Sequence, residues 1–135
     1  MRVLVDTNIV LDVLLGRKPF VDKAARVFGL IERGQVEGLL CATTVTTLDY
    51  LLTQTLSRPE SIETIRRLLG IFEIAPVTRL VLAEALRSRI VDFEDAVLEQ
   101  SGHLAGADAI MTRNTRDFRN SIIKALEPDE LLASV

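Results

Sequence analysis

Apolar positions along this chain follow two rhythms: short unbroken runs, and longer segments in which they recur every three or four residues. The run Val3-Leu4-Val5 predicts a buried strand over 2–5, and the pattern after it predicts a helix over 8–15 that ends at Gly16. Pro19 can open a second helix that runs to about Arg33 and stops at Gly34. A strand over 36–42 and a helix over 44–56 follow. Ser57-Arg58-Pro59-Glu60 has the form of a cap with proline in the first turn, and Ile62, Ile65, Leu68, Leu69 and Phe72 continue at helical spacing. Further strands are expected at 72–77, with Pro76 near its end, at 108–111 and at 122–126, and helices at 79–89 and 93–105.

Strands alternating with helices predict an α/β fold, three layers deep, around a mostly parallel, roughly five-stranded sheet. Right-handed crossovers then bring the carboxyl ends of the strands to one edge, where open α/β sheets bind ligands. No repeat or linker interrupts the pattern, so residues 1–135 read as a single domain.

Composition sharpens this picture in a few places. With 135 residues, 48% of them hydrophobic, the chain can bury a core without disulfides or structural metal. The one cysteine, Cys41, lies in an apolar run and has no internal partner, which predicts a reducing, cytoplasmic setting. Asp6 interrupts the first apolar stretch, so no secretory signal is expected, and no apolar run approaches the ~20 residues of a membrane span. A net charge of -3 argues against a global positive field that grips nucleic acid. It leaves nucleic acid open as a substrate, because setting four of the 19 acids aside for a metal leaves fifteen against 16 bases.

The candidate chemistry is acidic. Asp6 ends the first strand in Val5-Asp6-Thr7-Asn8; a helix N-cap explains it as well as a ligand does. Asp49 falls at the edge of the stripe Val45, Leu48, Leu52, Leu56, where a carboxylate needs a partner, a cation or solvent. Asp92-Phe93-Glu94-Asp95 gathers three acids in one helical turn, and capping plus the helix dipole is a sufficient structural explanation. Asp117 follows the fourth strand in Thr112-Arg113-Asn114-Thr115-Arg116-Asp117-Phe118, which reads equally as an ordinary polar loop. Taken together, acids from separate connections at one edge repel one another unless a cation compensates them. Their all-oxygen ligand set suits Mg2+ or Mn2+ rather than zinc, and His103 stands alone as a surface residue.

The segments around Asp6, Asp95 and Asn114 together resemble the motifs of PIN-domain ribonucleases, the fold used by VapC-type toxins of toxin-antitoxin pairs. The resemblance runs from Arg2 to about Phe118. It implies a PIN-like fold and a metal-dependent endoribonuclease in which Asp6, Asp95, Asp117 and Asp49 are catalytic, metal-binding acids. Thr7, Asn8, Thr112 and Asn114 would support those acids or orient water. Mg2+ or Mn2+ would be the cofactor, RNA the substrate, and a homodimer and an antitoxin protein the expected partners. The sequence departs from the usual family pattern at Asp49, where glutamate is common, and at Asn114, where some relatives carry Asp.

Arg113 and Arg116 flank the acids and are candidates for RNA phosphate, with Arg17 and Lys18 behind them; solvated surface charge is the plain alternative. The apolar segments 62–72 and 81–86 are explained by core packing, with an interface as the second option. Two rival functions remain: a catalytically silent PIN domain that binds RNA or protein, and a phosphotransfer domain with its acid after the first strand. The second lacks support, since position 8 is Asn rather than a second acid.

Overall fold

Val3, Leu4 and Val5 offer no polar side chain to solvent on either face, and all three are fully buried in β1 (Arg2–Val5), the middle strand of the sheet. The computed structural model describes residues 1–135. β2 (Glu37–Cys41) lies on one side of β1, with Val3 opposite Gly38 and Leu4 opposite Leu39. β4 (Ala109–Met111) lies on the other, with Val5 opposite Met111. β3 (Glu73–Ala75) and β5 (Lys124–Leu126) form the edges, so the order is β3-β2-β1-β4-β5 and every pairing is parallel.

The helices are α1 (Thr7–Leu14), α2 (Val21–Glu32), α3 (Ala42–Leu52), α4 (Arg58–Ile71), α5 (Arg79–Ala85), α6 (Phe93–Leu104) and α7 (Pro128–Ser134). Because successive strand residues point to opposite faces, β1 feeds two cores. Val3 and Val5 pack with Ile9, Phe28, Leu48 and Leu131 on one side, and Leu4 packs with Leu39, Val81, Val97 and Ile110 on the other. The expected three-layer architecture around five parallel strands is therefore the observed one. Gly38 is required in β2, since a Cβ there would come within 2.8 Å of the Phe72 ring and 2.9 Å of Ile31.

Several boundaries differ from the sequence expectation. α3 stops at Leu52 rather than continuing to 56; the Thr53 and Thr55 hydroxyls donate to the carbonyls of Tyr50 and Leu52, competing locally with the helix. The apolar pattern does not predict α7, although Glu127-Pro128-Asp129-Glu130 forms a capping box with proline in the first turn. The loop after β4 contains a 3₁₀ turn, Thr115–Phe118, anchored by the buried Phe118 ring. No helix is long and apolar enough to cross a membrane.

Candidate active site

Asp6 is the first residue past β1, and the ladder continues through it, its N–H donating to the Met111 carbonyl at 2.9 Å. Its carboxylate caps α1 by accepting from the Thr7 N–H at 2.8 Å, and its second oxygen accepts from the Thr112 hydroxyl at 2.8 Å. Thr112 is fully buried after β4 and accepts in turn from the Asn114 N–H at 3.0 Å. Two strand ends thus fix one carboxylate. Burial pushes its pKa up, the Thr112 and Thr7 bonds pull it down, and the charges of Asp117 and Glu94 push it up again.

Asp95 comes from the opposite wall, in the first turn of α6. Asp92 caps that helix by accepting from the Asp95 N–H at 3.0 Å, which fixes the turn. A helix N-terminus ordinarily favours a carboxylate. Here partial burial, then the charges of Asp92, Asp6, Asp117 and Glu94, outweigh it, and the Asp95 carboxyl is pushed up to about 7. Asp6 and Asp95 line one pocket of about 300 Å³ together with Thr7, Asn8, Glu94 and Asn114. α3 closes it with Thr43, Thr44 and Thr47.

Several of the predicted residues, Asp49, Asp117, Arg113 and Arg116 among them, do not line this pocket. Asp49 accepts from Arg58 at 2.5 Å and from the Ser61 hydroxyl at 2.8 Å, which ties α3 to α4 and holds its carboxyl below the usual range. The reason is rotation about the helix: Thr43 and Thr47 face the pocket, and Asp49 stands about 200° beyond Thr47. Arg113, expected on RNA phosphate, is instead bidentate to the fully buried Asp12 at 2.7 and 3.3 Å and lies 4.0 Å over the Phe20 ring. Arg116 and Asp117 are both exposed on the 3₁₀ turn and line the neighbouring groove together with Asp95. Arg17 reaches the pocket, with its Nη1 3.9 Å from Asp12. His103 is exposed near the end of α6, as expected.

Sequence reasoning missed Glu94 as a pocket residue, because three acids within one turn carry no sign of which one faces inward. It also missed Thr43, Thr44 and Thr47. Their signal was present, since threonines cluster where β2 hands over to α3, at the predicted sheet edge.

Whether a divalent cation suits this pocket can be judged from its donors. No group of three or more His, Cys, Asp or Glu side chains is arranged to hold an ion by itself. Yet the Asn8 Oδ1 and the Thr44 Oγ1 are buried without a hydrogen-bond partner, and both residues line the pocket. Two carboxylates beside neutral oxygens match Mg2+, which keeps several waters and needs only one or two protein carboxylates. The donor set therefore fits a hard cation.

A family model described as the PIN domain matches residues 2–116. No protein of curated function matches the sequence. Among solved structures, the fold is similar to a chain of a toxin-antitoxin complex from Klebsiella pneumoniae, 21% identical, with TM-score 0.70 over 93% of this chain and 97% of that one. It is also similar to a chain of DNA-bound VapBC from Salmonella typhimurium, 16% identical, with TM-score 0.74 over 95% and 98%. A third is a chain of VapBC2 from Rickettsia felis bound to a promoter DNA fragment, 14% identical, with TM-score 0.73 over 94% and 98%. With the family match covering most of the domain and the acids meeting at the sheet edge, the chain belongs to the PIN domain family.

Proposed function

We propose that this protein is a metal-dependent endoribonuclease, the toxin of a toxin-antitoxin pair, working in the cytoplasm with Mg2+ or Mn2+. The observation that carries the reading is the pocket holding Asp6 and Asp95, whose charges disfavour each other and which no lysine or arginine neutralises by an ion pair. A bound cation would supply that compensation and polarise a phosphodiester. Asp6 and Asp95 would hold it, with Asp117 and Glu94 adding negative charge around them. Thr112 and the Thr7 N–H keep the Asp6 carboxylate in one orientation, so that it need not reorganise when the cation and substrate arrive. Asp95 keeps its proton to near pH 7 without a cation and would release it on binding one. The Asn8 and Thr44 oxygens, buried without a protein partner in residues that line the pocket, add neutral oxygen donors to its wall.

A partner antitoxin is proposed from the complexes in which similar chains occur. Leu69 on α4 and Leu80, Leu82 and Leu86 on or just after α5 are exposed, which supports a homodimer or antitoxin interface. The absence of a three-acid group favours one competing reading, a silent PIN module that binds without cutting. The test is incubation of structured RNA with Mn2+ or Mg2+, with and without EDTA, using the wild-type chain and Asp6→Asn. Cleavage lost on chelation and on substitution is expected; RNA that stays intact under every metal condition would assign the silent module.

A further inference from the structure

A second concavity, about 670 Å³, opens beside the carboxylate pocket and shares the Asp95 wall with it. Arg89, from the segment between α5 and α6, and Arg116 and Arg119, from the 3₁₀ turn and the residue after it, line it; all three are exposed. None makes an ion pair, although Asp92, Asp95 and Asp117 border the same groove. By contrast, Arg2, Arg58, Arg66 and Arg87 all pair with carboxylates. Guanidinium groups left free while acids stand nearby are available to an external anion, and their planar fork matches phosphate oxygens. On the same wall, Phe93 at the start of α6 leaves 48% of its surface in solvent, an aromatic face beside the arginines.

We propose that this groove carries single-stranded RNA across Asp95 into the carboxylate pocket, with Arg89, Arg116 and Arg119 on backbone phosphates and Phe93 stacked on a base. The strand's identity rests on the nuclease reading, whereas its binding does not require cleavage. Repeated negative charge accompanied by planar rings describes a nucleic acid better than an acidic peptide, which has charge but no regular stacking partner. Stacking on Phe93 further requires a base freed from its neighbours, which selects a single strand over a duplex.

The test is fluorescence anisotropy with a short labelled single-stranded RNA, in an Asp6→Asn background so that the RNA stays intact. Arg89→Gln/Arg119→Gln is expected to weaken binding at least about tenfold and to lower the slope of log K against log salt by about 1.4, two phosphate contacts. Phe93→Ser is expected to weaken it by about tenfold as well, within the range for one lost stacked base. Arg66→Gln/Arg67→Gln, on α4 beside Glu63, serves as the control and should change neither quantity. Unchanged affinity and slope in the Arg89/Arg119 variant would overturn the proposal, as would a duplex of the same sequence binding as tightly as the single strand. A glutamate-rich peptide whose binding, unlike that of RNA, depended on the arginines would assign the groove to a protein and overturn it too. RNA binding that follows the arginines while the wild-type chain with Mn2+ cuts nothing would uphold the groove and sink the nuclease reading.

Discussion

One helix, α1, carries two acids in opposite surroundings. Asp12 is fully buried, yet Arg113 grips both its oxygens and Arg17 stands 3.9 Å away, so the protein itself supplies the compensating charge. Asp6, which caps the same helix, has hydroxyl and amide donors but no cation, and further carboxylates face it. Burying an acid is costly in either case. Matching it with a fixed guanidinium makes a structural tie; leaving it among other acids leaves its charge uncompensated by the protein. The comparison separates an acid whose charge the protein matches from one it leaves unmatched, which composition alone cannot do.

The largest expected effect comes from breaking the matched pair. Arg113→Met leaves buried Asp12 with only the more distant Arg17 and should cost about 3 kcal/mol in urea denaturation, whereas Asp12→Leu/Arg113→Met should recover most of that loss. At the unmatched site, Asp95→Asn should slow Mn2+-dependent RNA cleavage by about a thousandfold, the few kcal/mol of charge stabilisation a metal supplies, with the fold intact.

Thr112→Val keeps the shape but removes the donor that orients Asp6, and should weaken Mn2+ binding by about tenfold, measured calorimetrically. A smaller effect is expected from pH. Asp95 binds its proton more tightly folded, at about 7, than its ordinary value of 3.8. The cation-free protein should therefore gain stability as pH falls from about 7 towards 4, and lose it as pH rises through that window. Saturating Mn2+ and Asp95→Asn should each flatten the thermal melting profile over that range. The smallest change belongs to Asp49→Asn, which loosens the contact between α3 and α4 slightly and should leave cleavage untouched.

The same contrast explains what could be read from the sequence. Buried parallel strands announce themselves: the runs around Val3, Leu39 and Ile110 are apolar on both faces, and the acid that follows β1 and the acids that open the helix before β4 fall at the predicted edge because topology puts them there. Asp6 and Asp95 were legible for that reason. Asp49 and Arg113 are placed by partners that periodicity cannot supply. Asp12 lies 101 positions from Arg113, and Asp49 meets Arg58 and Ser61 only because α4 turns back onto α3. α7 carries its signal only in local capping residues, since the apolar content of its few turns gives little periodicity.

Calorimetric titration of Mn2+ into the protein at pH 7.5 tests the claim most directly. Saturable binding that disappears in Asp6→Asn and persists in Asp49→Asn is predicted. An absence of binding to the wild-type chain, or binding unchanged in Asp6→Asn, would contradict the account.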